Sequence, residues 1–378
     1  MKTHKLFNDE VTPRQTFECY GRWVQPLITF LSGVPGRNEK PLITITPLGA
    51  IVIDLCKVAS GVSLGCLVLT LGQYVLVGLP LCWLLLVNGA RSLASDAHYA
   101  GHACVTGKPA IDTWIGEFLS TLVLSTNMRE YAPGHNMLHH GRNGISTLED
   151  PDARLVLALG YKPGQKMDWY VRRLFTSLVS PFYHAQYLWA RLQSNFISAH
   201  PLRLLLSWTI HGSALIVVWH FEFWNAYLLG WLVPMVLLYA ISAALQFPSE
   251  HLWLREKDEG QARGDHFRKM SHGRFFLAPA PRQNLNLRLK LFAWIIWSVR
   301  MVPLIFGRFF VCVSILPAHD YHHRHARVMD WPMEPYLRAQ EIEAGAQGYL
   351  EYYGLWRVYI DQFRIWSKQN TWHSKAKP

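Results

Sequence analysis

Residues 42–90 read LITITPLGAIVIDLCKVASGVSLGCLVLTLGQYVLVGLPLCWLLLVNGA and carry only two charged side chains, Asp54 and Lys57. These two charges are three residues apart, so they share a helix face and can partly neutralise each other. The length suits two membrane-spanning helices of about 20 residues each and a short turn. The alternative, one continuous span over residues 58–90, would be about 50 Å long and would exceed the ~30 Å core of a bilayer. We therefore predict a helical hairpin with its turn near Gly72.

A second apolar stretch, residues 204–249, contains a single charge, Glu222. It again has room for two spans, with the turn expected within residues 221–225. His211 and His220 fall inside this hairpin and are predicted to be packing or interface residues. Amphipathic rings are favoured at a membrane interface, and we expect three tryptophans near one interface: Trp219, Trp224 and Trp231.

Two further apolar stretches are interrupted by charges. Residues 110–126 contain two acidic side chains, and residues 291–318 contain Arg300, Pro303 and Arg308. An arginine at the centre of a membrane span costs about 3 kcal/mol or more. We therefore expect both stretches to be helices in the plane of the membrane interface, which leaves four spans in two hairpins.

Histidines form three clusters that lie outside the four predicted spans. The clusters read His98-Tyr-Ala-Gly-His102, His135-Asn-Met-Leu-His139-His140 and His319-Asp-Tyr-His322-His323. Residues three or four apart share a helix face, so each cluster can present several rings together. Neutral imidazole is a good ligand for iron, zinc, copper and nickel. Eight or nine such ligands are too many for one ion and suit two ions, at about four or five ligands each.

The charge distribution predicts an orientation in the membrane. The chain has 37 Lys and Arg against 26 Asp and Glu, a net charge of +11, and only 17% of its residues are charged. With two hairpins, both termini and all three histidine clusters fall on one side, where Lys and Arg are concentrated, and the predicted outer turns carry neither. The positive-inside rule then places the clusters and both termini of this multi-pass protein in the cytoplasm. Nucleic-acid binding is the competing explanation of a basic chain, but the basic residues are scattered and no recognition motif is present.

The three clusters resemble the histidine boxes of the membrane fatty acid desaturase and hydroxylase superfamily. That family carries H-x(3–4)-H, then H-x(2–3)-H-H, then a third H-x(2–3)-H-H box, with hydrophobic pairs between them. The resemblance covers about residues 45–330, and the stretch Leu148-Glu-Asp-Pro-Asp152 is similar to the D-P-D tail of many bacterial members. Acyl-CoA desaturases of the best-known type differ, with H-x(4)-H first and H-x(2)-H-H second. The resemblance therefore does not imply an acyl-CoA substrate.

The resemblance implies an all-α integral membrane fold, in which a cap of cytosolic helices over four transmembrane helices holds a di-iron site that activates dioxygen. It also implies a further ligand after the fourth span, a place that His251 occupies here. The implied ligands are His98, His102, His135, His139, His140, His251, His319, His322 and His323. Carboxylates commonly orient the ring N–H groups of such ligands. The adjacent candidates are Asp96, Asp152, Glu250 and Asp320.

The activity that the resemblance implies is the dioxygen-dependent oxidation of a C–H bond, with a double bond introduced into a fatty acyl chain as the leading hypothesis. Hydroxylation, epoxidation or ketolation of an acyl, sphingoid or carotenoid substrate is the alternative. A third hypothesis is a membrane metal-binding or transport protein without oxygen chemistry. Transporters place their ligands near the bilayer midplane, whereas these clusters lie outside the spans. No H-P-G-G haem-binding motif is present, so electrons would come from a separate ferredoxin or b-type cytochrome with its reductase.

We expect residues 1–378 to form one unit. Its predicted parts are a cytosolic N-terminal segment (1–41), a membrane and catalytic core (42–330) and a cytosolic C-terminal segment (331–378). His325 is predicted to face solvent. Five further histidines lack a partner pattern and receive no role: His184, His200, His266, His272 and His373.

Overall fold

The computed structural model of the protein describes residues 6–7, 12–141, 145–258 and 260–372. Most of these residues are helical. The α-helices are α1 Gln25–Ser32, α2 Pro47–Leu69, α3 Val75–Gly101, α4 Pro109–Leu122, α5 Met128–Gly134, α6 Pro151–Leu157, α7 Met167–Leu178, α8 Pro181–Leu192, α9 Pro201–Ser207, α10 Ser213–His220, α11 Trp224–Tyr227, α12 Tyr239–Gln246, α13 Arg263–Met270, α14 Leu287–Phe306, α15 His319–Arg324, α16 Glu334–Glu343 and α17 Leu355–Ser367. Two short strands, β1 Gly273–Phe275 and β2 Glu351–Tyr353, pair in parallel with Gly273 opposite Glu351.

Five helical segments of the described residues are long and apolar enough to cross a membrane, judged by length and composition. They are Pro47–Leu69, Gly72–Gly101, Pro201–His220, Trp224–Ser249 and Leu287–Val311. The first four are the two predicted hairpins. Residues 110–126 are not among the five, since α4 has only 14 residues.

Both predicted turns are confirmed. The first membrane helix ends at Leu69, and Gly72, with a φ of 57°, begins the short 3-10 turn that leads into α3. The single long span over residues 58–90 is therefore wrong. In the second hairpin, one helix ends at His220 and the next begins at Trp224.

The fifth segment overlaps the stretch that was predicted to lie in the interface plane, so the count of four spans stays a prediction. Its core helix α14 has one face covered by protein. Ala293 packs on Phe7, and Trp297 donates a hydrogen bond to the carbonyl of Ala278. The opposite face exposes a stripe of apolar side chains at a spacing of three and four: Leu287, Leu291, Ile295, Val299, Val302 and Phe306. Helix α14 thus packs on the protein with one face and exposes apolar side chains on the other.

The α2–α3 pair packs closely because a glycine stands at its crossing. A Cβ atom on Gly61 would lie 2.8 Å from the backbone nitrogen of Leu86, closer than real Cβ contacts allow. Small residues that let helix backbones approach are typical of membrane helix pairs. Helix α2 begins after Thr46, whose hydroxyl accepts the backbone N–H of Gly49, and Pro47 occupies the first helical turn.

The C-terminal segment packs against the rest of the chain at several places, two of which lie beside ligand-candidate histidines. Helix α17 contributes Phe363 and Trp366 to a buried aromatic cluster that includes Trp253. Earlier in the same segment, Trp331 stacks on Tyr99 with a distance of 4.5 Å between the ring centroids. Both contacts lie beside histidine clusters, because Trp253 is two residues from His251 and Tyr99 follows His98.

Candidate metal centre

The structure brings all nine predicted ligand histidines together in two groups. In each group, one ring nitrogen per residue lies within 4.8 Å of those of the others. The five-histidine group contains His98, His102, His135, His140 and His322. The four-histidine group contains His139, His251, His319 and His323. Whether these residues bind metal stays a prediction.

The first cluster lies where α3 leaves the membrane segment. His98 is in the last turn of α3, and His102 follows as its C-terminal cap residue. The i,i+4 spacing places both rings on one side, with centroids 4.9 Å apart. The C-terminal end of α3 thus places two candidate ligands in the five-histidine group.

The second cluster forms a π-helical turn, His135–His139. The backbone N–H of His140 bonds to the carbonyl of His135 at 3.0 Å, an i→i+5 bond that widens the turn by one residue. Widening brings His140 over His135, and both rings join the five-histidine group, while His139 joins the other. One box therefore supplies both groups.

The third cluster also supplies both groups. Helix α15 spans His319–Arg324, and its first and fifth residues, His319 and His323, are one turn apart and join the four-histidine group. His322 points to the five-histidine group. The fourth member of the smaller group, His251, is held by a β-bridge to Ser271, whose hydroxyl lies 3.3 Å from the ring Nδ1.

The nitrogen spacings fit two metal ions. The Nε2 of His322 lies 2.9 Å from that of His98 and 3.1 Å from that of His140. In the four-histidine group, the Nε2 atoms of His319 and His323 are 3.1 Å apart. Two nitrogen ligands that meet one ion at right angles, each at about 2.1 Å, are about 3.0 Å apart.

Three further nitrogens are free to bind. The Nε2 atoms of His102, His135 and His251 are buried and have no hydrogen-bond partner among the described residues. A buried polar atom normally has a partner. A metal ion would satisfy each of these nitrogens, and imidazole is a donor that suits iron, zinc, copper and nickel.

Two aspartates orient rings of the second cluster. The Nδ1 of His135 lies 3.0 Å from Asp152, and the Nδ1 of His139 lies 2.9 Å from Asp150. A carboxylate that is ionised only accepts hydrogen bonds, so it favours a proton on Nδ1 and leaves Nε2 turned towards the histidine group. Asp152 was predicted for this role, whereas Asp150 was missed. The sequence signal was present, because an Asp before Pro151 at a helix start is a typical N-cap.

The other predicted carboxylates behave differently. Glu250 lies near the four-histidine group, 3.4 Å from the Nε2 of His319. The prediction for Asp320 was wrong, because both its oxygens accept from the guanidinium of Arg338 at 2.8 Å. The prediction for Asp96 was also wrong, because neither of its oxygens has a hydrogen-bond partner among the described residues. Neither residue orients a ring.

Glu334 is a second carboxylate that the sequence did not reveal. It accepts a hydrogen bond from the hydroxyl of Tyr99 at 2.9 Å and lies 3.9 Å from the Nδ1 of His322. It comes from α16, beyond all three clusters, so no local motif connects it with the site. Burial raises the pKa of Glu334 well above its usual range.

Burial keeps most of the rings neutral. It lowers the pKa of His102 to about 4. Six other candidate ligands outside the candidate spans also have a lowered pKa, and burial is its largest cause at each of them: His135, His140, His251, His319, His322 and His323. Neutral imidazole is the form that offers a lone pair to a metal.

His139 is the exception. Burial disfavours a charge there, but Asp152 and Asp150 outweigh it and raise the pKa of His139 to about 9. The same carboxylates would favour a cation at its ring. Burial raises the pKa of Asp152 to about 7, against the opposing effect of His139.

The histidines outside the clusters mostly follow prediction. His211 packs through a hydrogen bond between its Nε2 and the carbonyl of Thr121, at 2.9 Å. The exposed His220 packs its ring on Phe221. His325 is 40% exposed and pairs with Glu341. Four others join neither group: His184, His200, His266 and His272. The last, His373, lies outside the described residues.

A cavity of ≈270 Å³ lies against both groups. His98 and His135 of the five-histidine group line it, as do His139 and His319 of the four-histidine group. Its other walls come mainly from α3, α8 and α12 and combine apolar side chains with a few polar ones. The arrangement can therefore hold a partly apolar molecule against the site.

The fold and the site define a mostly helical protein with membrane-like helices and two histidine groups that are compatible with metal binding. The model of the fatty acid desaturase family matches residues 75–278, more than half of the chain. The chain therefore belongs to the fatty acid desaturase family, which supports an oxidoreductase of desaturase or hydroxylase type. The matched region ends before the third histidine cluster. A comparison with curated proteins finds no match.

Proposed function

We propose that the protein is a membrane-bound, dioxygen-dependent di-iron oxidoreductase that introduces a double bond into a fatty acyl or related lipid chain. The observation that carries the proposal is the pair of buried or partly buried histidine groups, each of which contributes two rings to the lining of one cavity. The five-histidine group would hold one iron and the four-histidine group the other. Family membership supports the reaction class.

The chain's own residues would bind the ions, orient the ligands and exclude water. When bound, two irons in such a site supply the reduction of dioxygen and the removal of hydrogen from a C–H bond. Asp150 and Asp152 hold the rings of His139 and His135 with Nε2 free. The cavity would place a chain carbon beside both groups, and a bound chain would displace water from it.

The proposed membrane arrangement has two hairpins, four spans and α14 in the plane of the interface. The one-sided apolar stripe of α14 and the extended residues 275–282 along its other face support the in-plane position. Irregular backbone exposed to lipid does not occur within the hydrocarbon region. We place the histidine groups and both termini in the cytoplasm on the basis of the positive-inside rule. Electrons would then arrive from an external ferredoxin or b-type cytochrome with its reductase.

Oxygen consumption by the purified, iron-loaded protein tests the proposal. With a reductase, a ferredoxin and lipid, we expect dioxygen uptake that stops when lipid is omitted. Mass spectrometry of the lipid should show the loss of two hydrogen atoms. A gain of one oxygen atom would instead identify a hydroxylase or epoxidase. Bound iron without dioxygen uptake on any acyl, sphingoid or carotenoid substrate would favour a metal-binding or transport role.

A further inference from the structure

The cavity beside the histidine groups contains an arginine at a depth where membrane proteins rarely place one. Arg91, Ala94, Ser95 and His98 follow one face of α3, and all four line the cavity. Arg91 precedes His98 by seven residues, or about 10 Å along the helix. It therefore lies well inside the candidate span Gly72–Gly101. An ionisable side chain at such a depth usually faces a cavity or pathway and pairs with another group.

The groups that Arg91 contacts in the structure are neutral, while Glu250, which lines the same cavity, interacts with its charge without forming an ion pair. One guanidinium nitrogen donates to the side-chain oxygen of Gln246. The guanidinium carbon lies 5.1 Å from the ring centroid of Tyr239 and 5.6 Å from that of Phe247. Arg91 is only 6% exposed. Among the described residues, no carboxylate forms an ion pair with it, and its buried Nε has no acceptor.

A second arginine on the cavity wall has hydrogen-bond partners that all belong to the protein backbone. Arg191 also lines the cavity, and its three nitrogens donate to the backbone carbonyls of Leu124, Met235 and Val123. Backbone carbonyl oxygens therefore accept a hydrogen bond from each of the three nitrogens of Arg191. Arg91 lacks such a set, although it faces the same space.

We propose that Arg91 binds an anionic oxygen group of the substrate, with the chemistry of a carboxylate. A guanidinium presents its N–H groups in a planar fork that matches a carboxylate, and an anion would neutralise the buried charge. The apolar side chains of Ala94, Leu155 and Phe247 would contact the hydrocarbon part. The substrate would then bind with its acidic group at Arg91 and its reacting carbon near His98, two residues whose backbones are about 10 Å apart along α3. The inference rests on the proposed function, because it names the substrate class of the same site.

Ligand binding without turnover tests this inference. The probes are dodecanoate, 1-dodecanol and dodecane, titrated into the detergent-solubilised, iron-loaded full chain by calorimetry. Arg91→Met should weaken dodecanoate binding by about tenfold or more, since a hydrogen-bonded charge pair is lost, and should leave the two uncharged probes nearly unchanged. Arg91→Lys, which keeps the charge but not the planar fork, should give an intermediate loss.

Two further variants keep the test decisive if Arg91→Met folds poorly. Gln246→Glu places a carboxylate beside Arg91 with a side chain of nearly the same shape as Gln. It should therefore weaken the binding of dodecanoate and leave the binding of the two uncharged probes nearly unchanged. Arg129→Met removes an exposed arginine away from the cavity and should bind all three probes like the wild type. Unchanged dodecanoate binding in both Arg91→Met and Gln246→Glu, or an equal loss for all three probes, would overturn the inference. A protein that shows Arg91-dependent binding but no dioxygen uptake would refute the proposed function alone.

Discussion

Each histidine has two ring nitrogens, and the partner of one decides what the other can bind. Asp150 accepts the backbone N–H groups of Ser146 and Asp152 in addition to the ring of His139. These two backbone hydrogen bonds thus fix the position of the Asp150 carboxylate independently of the His139 ring. A ring that is held in this way needs little reorganisation to bind an ion.

Replacing Asp150 by Asn should therefore weaken metal binding. The amide can present an N–H to the Nδ1 of His139. The ring would then lose its preference for the tautomer with a free Nε2. Loss of such an outer hydrogen bond typically costs about 10–100-fold in metal affinity. Iron retained per chain, measured against a chelator series, checks this. Asp168→Asn, an exposed aspartate in the first turn of α7, should retain iron like the wild type.

Removing one ring from either group should stop turnover. His139→Ala and His322→Ala each take a ligand from a different group. We expect both to lose lipid-dependent dioxygen uptake and part of the bound iron while still inserting into membranes. His325→Ala is the matched control, because that ring is partly exposed and outside both groups. Full activity in either ligand variant would refute the assignment.

At this scale, sequence spacing predicted which rings meet, but of the two aspartates that hold rings of the second cluster only Asp152 was predicted. Eight of the nine histidines could be named because imidazoles three and four residues apart are forced onto one side of a helix, whereas His251 was named from the family resemblance. Asp320 was misjudged because it is next to His319 in sequence, and adjacent residues on a helix point about 100° apart. Its side chain therefore turns away, towards Arg338.

At the scale of elements, the close approach of α2 and α3 depends on the missing side chain of Gly61. Gly61→Ala places a Cβ 2.8 Å from the backbone nitrogen of Leu86, which cannot move without shifting α3. Overpacking of this kind costs about 1–3 kcal/mol. We expect a lower thermal unfolding midpoint in detergent.

The control for this prediction is another glycine of a candidate span. A Cβ on Gly212 meets nothing within 4 Å, so Gly212→Ala should unfold near the wild-type midpoint. Equal midpoints for both variants would show that the α2–α3 contact tolerates separation. Because α3 carries His98, Gly61→Ala should also reduce bound iron more than Gly212→Ala does.

The apolar segments were predictable because a length of about 20 residues without charge is the main requirement for a span. The π-helical turn at His135–His139 was not, since the H-x(3)-H-H spacing fits an α-helical turn equally well. Only the tertiary position of His140, in the same group as His135 five residues before it, requires the wider turn, because residues five apart point about 140° apart on an α-helix. The packing of α14 likewise depends on contacts with distant residues such as Phe7.

For the whole molecule, a chain of charges ties both ends of the sequence to the third histidine cluster. Arg14 pairs with Glu351 of β2, Glu351 with Arg338 of α16, and Arg338 with Asp320 beside His319. Arg338 is fully buried. The segment 331–378, predicted as a separate cytosolic part, thus helps to position α15.

Arg338→Met should destabilise the fold and loosen the site. It leaves the buried Asp320 without its partner, a loss that typically costs about 3–5 kcal/mol. The matched control is Arg364→Met, which breaks an exposed pair with Asp361 worth about 0–1 kcal/mol. The thermal unfolding midpoint and the iron retained per chain should both fall for Arg338→Met and remain near the wild-type values for Arg364→Met. Similar values for the two would mean that the charge chain does not support α15.

The way the ligands are divided between the groups also bears on the order in which the centre can be assembled during translation. A chain is synthesised from its N-terminus, and the third cluster begins only at His319. By then the five-histidine group already has every ligand except His322, whereas the four-histidine group still lacks His319 and His323. A nascent chain could therefore offer nearly complete coordination for one ion and only half for the other. The four-histidine group, which we propose holds the second ion, is complete only after the ribosome has passed α15.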